Sequence, residues 1–172
     1  VPDHLWVRAG PAEGRIGLPA LLAAQKPFWG RLEAFAARSP DRRNPAYVYH
    51  RYLLRLASKV ANNIGFMQVE RGDKTGAQET FKQARRLDPD NISALLNLLT
   101  IAQEDHLPEE AEYQKEWEDF KARHVDSRVM WALSGLYGYV HNTGFLVRQG
   151  MMWAVSGKPR IAEAELRRAS GG

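Results

Sequence analysis

Apolar residues recur every three or four positions along most of the chain, which is the spacing of one face of an α-helix. The longest such run covers residues 45–72 and contains no internal proline. Shorter runs follow over residues 75–87, 92–104 and 108–123. No segment alternates apolar and polar residues with the period of two that a half-buried strand requires. The pattern therefore predicts an all-α protein.

The first 43 residues interrupt this regularity with four glycines and five prolines. Helices in this part are therefore expected to be short, over residues 18–25 and 28–38. The second of them has apolar residues at helical spacing, namely Phe28, Trp29, Leu32 and Phe35. We interpret residues 1–43 as an irregular N-terminal cap with short helices, followed by a helical array over residues 44–172.

Glycine and polar turns divide the helical array into hairpins at about residues 45–90, 91–125 and 126–170. Residues 126–142 are expected to extend the first helix of the third hairpin at its N-terminus. The first hairpin is expected to have a similarly elongated helix that begins near Pro45. The alternative is a kink or break near residues 141–143. Three helix-weakening glycines favour that alternative, namely Gly135, Gly138 and Gly144.

The first and third hairpins share one arrangement of small and large residues. Five positions with successive spacings of 7, 5, 4 and 3 residues recur 85 residues later in the chain. They are Gly65, Gly72, Ala77, Phe81 and Ala84 in the first hairpin, and Gly150, Gly157, Ala162, Leu166 and Ala169 in the third. Each set predicts a first helix that contains a glycine, then a turn at the second glycine, then a second helix. One face of that second helix carries a small, a large and again a small apolar side chain. Residues 92–125 form a degenerate copy, because Leu99 and Lys115 replace the first glycine and the large apolar residue.

This internal repeat resembles the tetratricopeptide repeat, a helical hairpin of about 34 residues. The resemblance covers residues 58–169 and implies a right-handed superhelical array of about three hairpins. It also implies that the first helices of the hairpins line a concave groove that holds a peptide or partner segment. The groove residues implied in this way are Lys59, Asn62, Asn63, Phe66, Asn97, Arg148 and Met152, with Ser93, Leu96, Thr100 and Met151 beside them.

Asparagine amides suit an extended backbone because each offers both a donor and an acceptor, and Arg148 can hold a carboxylate bidentately. A subfamily of the resembled repeats binds acidic C-termini through Lys and Asn, then Asn, then Lys and Arg on three successive first helices. Of that pattern the chain matches only Asn97 and Arg148, since Asn62, Phe66 and Gly144 stand at the other three positions. The resemblance therefore implies a non-catalytic scaffold or adaptor that binds a protein partner in its groove.

Two other functions fit the same sequence. The chain can be a structural module of a larger, membrane-associated protein, with a groove filled by its own chain. It can also bind a single nucleic-acid strand through arginines and tyrosines, which are Arg42, Arg43, Arg85, Arg86, Arg167, Arg168, Tyr47, Tyr49 and Tyr52. Two of these arginine pairs end helices, where the helix dipole alone favours cations. Tyrosines at helical spacing are more typical of a core, so nucleic acid is the less expected ligand.

Composition narrows the chemistry further. The net charge of +4 is too small to be a nucleic-acid signature by itself. The absence of cysteine excludes disulfides and thiolate metal sites, and the five histidines are scattered without metal-binding spacing. No nucleophile elbow, phosphate-binding loop or dinucleotide fingerprint is present. We therefore expect no catalytic residue, no cofactor and no metal.

The cellular setting stays open at this point. A chain without cysteine fits the cytoplasm, which we favour, as well as the periplasm or a membrane-tethered parent protein. No run of apolar residues is long enough to span a membrane. The chain begins with Val1 and ends in two glycines, which suggests a segment of a longer protein. Homo-oligomerisation is compatible with these features.

Overall fold

The computed structural model describes residues 2–3, 6–7, 17–123 and 136–170. A two-residue antiparallel ladder joins β1 (Pro2–Asp3) to β2 (Trp6–Val7), and everything else in these ranges is helix or connecting loop. The described helices are α1 (Leu18–Ala36), α2 (Ala46–Val69), α3 (Lys74–Leu87), α4 (Ile92–Glu104), α5 (Glu110–Arg123), α6 (Thr143–Val155) and α7 (Pro159–Ala169). The prediction of an all-α protein is confirmed.

The N-terminal cap contains one 19-residue helix, α1, instead of the two short helices expected at residues 18–25 and 28–38. Pro27 lies inside this helix on its exposed side and removes one backbone hydrogen bond. Tertiary packing compensates for that loss, because Trp29 is buried in the main core and Phe28 and Leu32 pack against the same core. The expectation of short helices was wrong for this reason.

The first hairpin packs closely because of one glycine. A Cβ atom placed on Gly65 in α2 would lie 2.6 Å from Cε1 of Phe81 in α3, so only glycine permits this approach. Phe81, Ala77 and Ala84 are fully buried in α3. Their core cluster is completed by α4, which contributes Ala94, Leu98 and Ile101. Consequently α4 stacks on α3 and joins the first two hairpins.

Turn and cap residues fix where these helices end. Gly72 adopts a left-handed φ of 80° in the turn between α2 and α3. The side chains of Asp73 and Asn91 each accept a backbone hydrogen bond of 2.9 Å at the start of α3 and of α4. Asp88 is buried between α3 and α4 and pairs with Arg51 and Arg55 of α2, at 2.9 and 3.4 Å.

The second hairpin is looser than the first. Tyr113, Trp117 and Phe120 of α5 pack beside Ile92 and Leu95 of α4. No residue of α5 is fully buried. Ala111 and Lys115 of α5 are exposed, although the corresponding residues of α3, Ala77 and Phe81, are buried. Among the described helices, only α4 packs extensively against α5.

The third hairpin repeats the glycine contact of the first. A Cβ atom on Gly150 in α6 would lie 2.7 Å from Cγ of Leu166 in α7, and Gly157 has a left-handed φ of 72° in the turn. Leu166 is nevertheless 39% exposed, whereas its counterpart Phe81 is fully buried. Within the described ranges, no helix covers α7 in the way that α4 covers α3.

The connection into α6 differs from the expected helix extension. Gly138 has a φ of 99° and Asn142, the N-cap of α6, is extended. The expected helix over residues 126–142 is therefore wrong for residues 138–142, while residues 126–135 lie outside the described ranges. The alternative of a break before Thr143 is confirmed, and the break begins at Gly138. We call residues 138–142 the strap.

No helix in the described part of the chain combines the length and hydropathy that a membrane crossing requires.

Candidate functional site

Two buried asparagines face each other between α2 and α4. Asn62 and Asn97 are at most 1% exposed, and Nδ2 of Asn97 donates to Oδ1 of Asn62 at 2.9 Å. Stacking of the first two hairpins brings these helices side by side, which sets this distance. A buried amide is costly unless its remaining donors and acceptors find partners. The pair therefore requires further polar groups in the groove.

The strap supplies those groups from its backbone. The carbonyl oxygen of Tyr139 accepts hydrogen bonds from Asn62 Nδ2 at 2.8 Å and from Asn97 Nδ2 at 2.9 Å. The amide of Tyr139 donates to Asn63 Oδ1 at 3.0 Å, and the amide of His141 donates to Asn97 Oδ1. The asparagines thus bind an extended backbone through donors and acceptors, and that backbone belongs to the chain itself. We call these three side chains the asparagine clamp.

Gly138 allows the strap to reach the clamp. Its φ of 99° lies in the left-handed region that favours glycine. A Cβ atom at this position would lie 2.7 Å from Nδ2 of Asn62 and would also collide with Oδ1 of Asn63. The residue is therefore required both for its backbone conformation and for its close approach to the clamp.

Aromatic side chains close the groove around the strap. The Phe66 ring lies 5.4 Å from the Tyr139 ring and 5.9 Å from the His141 ring, measured between centroids. The Arg168 guanidinium of α7 lies 5.8 Å from the Phe66 ring and 5.6 Å from the Tyr139 ring. Arg168 also pairs with Glu70 at 3.4 Å. The last helix is thereby linked to the groove of the first hairpin.

The residue before the strap is held at the other end of the groove. Tyr137 packs beside Ile92 and Leu95, and the Arg55 guanidinium lies 5.7 Å from its ring centroid. Burial raises the pKa of the Tyr137 hydroxyl, and the nearby carboxylate of Asp88 adds to the rise. The neutral form of this tyrosine is therefore the one that the folded chain favours.

The structure brings together four of the groove residues that the resemblance implied. Asn62, Asn63, Phe66 and Asn97 surround the strap, whereas Arg148 lies elsewhere. It borders a cavity of about 370 Å³ between α4, α5 and α6.

The remaining candidates take other positions. Leu96 and Thr100 line the cavity that Arg148 borders. Ser93 is buried, Lys59 is half-buried on α2, and both Met151 and Met152 are exposed on α6. Val140 and Asn142 of the strap line the same cavity, so Arg148, Leu96 and Thr100 face the side of the strap away from the asparagine clamp's hydrogen bonds to Tyr139.

Sequence reasoning missed the residues that fill the groove. Tyr139 and Val140 were expected in a helix, and Arg168 was explained by the helix dipole alone. The available signal was Gly138, followed by the β-branched and aromatic residues of the strap, which favour extended backbone. Val140 is fully buried, as an alternating extended segment permits.

The described residues contain no group of three or more acidic or histidine side chains arranged to hold a metal ion. His50 is buried against α1, where its Nε2 donates to the Phe35 carbonyl at 3.0 Å, and His141 belongs to the strap. His4 and His124 lie outside the described ranges.

Comparison of the chain with protein-family models, with curated proteins and with solved structures finds no match.

Proposed function

We propose that this chain is a non-catalytic structural scaffold whose groove is filled by its own strap. The observation that carries the proposal is the asparagine clamp, in which three side chains bind the backbone of Tyr139 and His141. Asn62, Asn63 and Asn97 each form a hydrogen bond to the strap, so we infer that the groove serves to position α6 and α7.

We further propose that the hairpins are tetratricopeptide-like and belong to a right-handed superhelical array. The equivalent glycine contacts of Gly65 with Phe81 and of Gly150 with Leu166 support this proposal. The left-handed turn glycines Gly72 and Gly157 support it as well. In this view the strap interrupts the array after α5 and is the feature that distinguishes this chain from a continuous stack.

The variant Asn97→Asp tests whether the clamp holds the strap. It keeps the acceptor for the His141 amide but replaces the donor to Asn62 and Tyr139 by an acceptor. Because buried donors and acceptors are then mismatched, we expect a loss of about 2–4 kcal/mol in the free energy of strap docking. Hydrogen exchange of the Tyr139 and His141 amides, followed by mass spectrometry, should accelerate by tenfold or more.

Asn44→Asp is the matched control. Asn44 is exposed and its Oδ1 accepts from the Ala46 amide at 2.9 Å, a role that aspartate retains. This variant makes the same chemical change without disturbing the groove, and strap exchange should stay at the parent rate. Rapid strap exchange in the parent protein, or unchanged protection in Asn97→Asp, would contradict a self-filled groove.

A second candidate function is a receptor for an extended segment of a partner protein that replaces the strap. It is favoured by the fact that the clamp binds only backbone atoms of Tyr139 and His141, which any sequence offers. A synthetic peptide with the sequence of residues 136–142 distinguishes the two functions. Binding of this peptide to the parent protein, with release of the strap, supports the receptor. Binding only after the strap has been weakened supports the scaffold.

A further inference from the structure

The first two turns of α2 extend beyond the helix that packs against it. α2 has 24 residues and α3 has 14, and Ser58 Oγ already reaches the carbonyl of Ala84 near the end of α3 at 2.7 Å. We call residues 46–53 the overhang. It is held firmly, because His50 is buried against Phe35 with ring centroids 4.5 Å apart. Arg51 also bonds Asp88 and Asp90 at 2.9 and 3.3 Å.

The overhang presents large apolar side chains to solvent. Val48 is 69% exposed, Tyr49 72% and Tyr52 65%, and Leu53 beside them is also exposed. Sequence reasoning expected these tyrosines in a core, and that expectation was wrong for both. Because an aromatic side chain can bury about 150–250 Å², the exposed apolar area here is on the order of 300 Å². A patch of this size on a monomer commonly marks an interaction site.

This patch continues the stripe of α2 that forms the groove. Val48, Tyr52, Arg55, Lys59, Asn62 and Phe66 follow one another at spacings of four and three residues, which places them on one helical face. Tyr137 and the strap together cover that face, with Tyr137 beside Arg55 and Tyr139 beside Phe66. The chain itself therefore covers the C-terminal part of this helical face, while the part in the overhang is exposed to solvent.

Positive charge is concentrated around the same patch. Residues 38–59 contain six basic side chains and one acidic side chain, a net charge of +5, which exceeds the +4 of the whole chain. Arg51 and Arg55 pair with Asp88, but the ion pairs of the described residues include neither Arg42 nor Arg43. Both of these arginines are exposed in the loop that leads into α2. The exposed tyrosines of the overhang are thus preceded, a few residues earlier in the chain, by two exposed arginines that form no ion pair among the described residues.

We propose that the overhang of α2 binds a short acidic segment of a partner protein that also carries an apolar or aromatic side chain. The arginines attract the carboxylates, and the tyrosines with Val48 receive the apolar group. A short segment is favoured over a folded domain because a stable domain interface requires about 800 Å² from each partner. The aliphatic side chains of Val48 and Leu53 favour a peptide over a nucleic-acid strand. This surface lies outside the part of the groove that the strap fills.

Fluorescence anisotropy with a labelled octapeptide of six glutamates, one leucine and one phenylalanine tests the proposal. We expect saturable binding by the whole chain, and weaker binding of the same peptide with glutamine in place of glutamate. The variant Arg42→Ala/Arg43→Ala should weaken binding about fivefold, because two exposed ion pairs to the peptide carboxylates are lost. Tyr49→Ala/Tyr52→Ala should weaken it at least about fivefold, because tyrosines are enriched among the residues that dominate binding at interfaces.

The variant Lys115→Ala/Arg160→Ala is the matched control. It also removes two exposed positive charges, but on α5 and α7, and it should change the affinity less than twofold. The two tests are separate, because peptide affinity reports on the overhang whereas hydrogen exchange at Tyr139 and His141 reports on the strap. Circular dichroism verifies that each variant retains the parent helicity.

Three outcomes would overturn the proposal. The first is the absence of saturable binding of the acidic octapeptide. The second is unchanged affinity in both the arginine and the tyrosine variants. The third is tighter binding of an oligothymidylate, or of phosphatidylcholine vesicles containing phosphatidylserine, which would assign the overhang to a nucleic-acid strand or to an anionic membrane surface.

Discussion

Asn62 and Asn97 occupy positions where apolar side chains would usually complete the packing between α2 and α4. Their amides are buried, and each is satisfied by the other and by the strap. Polar groups buried in this way stabilise a chain only in the arrangement that pairs them all. The clamp therefore specifies where the strap lies more than it adds to the free energy of unfolding.

Gly138→Ala is the sharpest test at the residue scale. The left-handed φ of 99° and the clash with the clamp should cost about 1–3 kcal/mol, so strap docking should weaken. Faster hydrogen exchange at Tyr139 and His141 would report this loss. Gly30→Ala is the control, because a Cβ atom there meets nothing within 4 Å in the helical interior of α1. That variant should gain up to about 1 kcal/mol, and equal strap protection in the two variants would contradict the role of Gly138.

Hairpin packing is decided at the scale of the element. The α2–α3 and α6–α7 hairpins share a glycine that admits a large apolar side chain from the partner helix. They differ in what lies behind that side chain. Phe81 is enclosed by α4 and the rest of the core, whereas Leu166 has solvent on one side. A side chain added at the glycine should therefore be tolerated better in the α6–α7 hairpin than in the α2–α3 hairpin.

Gly65→Ala and Gly150→Ala should separate these environments. Phe81 cannot move without disturbing the core, so Gly65→Ala should lower the free energy of unfolding by about 1–3 kcal/mol. Leu166 can rotate toward solvent, and the higher helix propensity of alanine offsets the remaining strain. Gly150→Ala should therefore lie within about 1 kcal/mol of the parent in urea unfolding. A larger loss for Gly150→Ala than for Gly65→Ala would refute this account of the two hairpins.

Within the described part of the molecule, α1 to α4 form one continuous core and α6 with α7 form a separate pair. Extensive contacts link α2 with α3, α3 with α4, and α4 with α5, while α6 and α7 pack extensively only with each other. The strap and Arg168 connect the two parts. Local stability follows the number of buried contacts, so the two parts should differ in stability.

Native-state hydrogen exchange at low urea should resolve this difference. We expect the amides of α6 and α7 to lose protection at lower urea concentrations than those of α2, α3 and α4. Asn97→Asp should widen the gap by weakening the strap. Simultaneous loss of protection in all of these helices would instead indicate one cooperative unit.

The periodic residues made several features predictable. Local spacing places Ala77, Phe81 and Ala84 on one face, and the turn at Gly72 needs only a glycine and its neighbours. The asparagines of the clamp could also be assigned to a groove, because the resemblance fixes their positions on the first helices. The occupant could not be assigned. The strap pairs Tyr139 with side chains 76 and 77 residues away, and no local pattern encodes such a contact.

The sequence by itself therefore determined the helical class and the matching glycine, small and large positions of the α2–α3 and α6–α7 hairpins, since each depends on residues a few positions apart. Tertiary structure alone decided that α1 continues through Pro27, because burial of Trp29 outweighs a lost hydrogen bond. It also decided that the chain leaves the helix at Gly138, because the buried amides of Asn62 and Asn97 need backbone partners that only a distant extended segment provides.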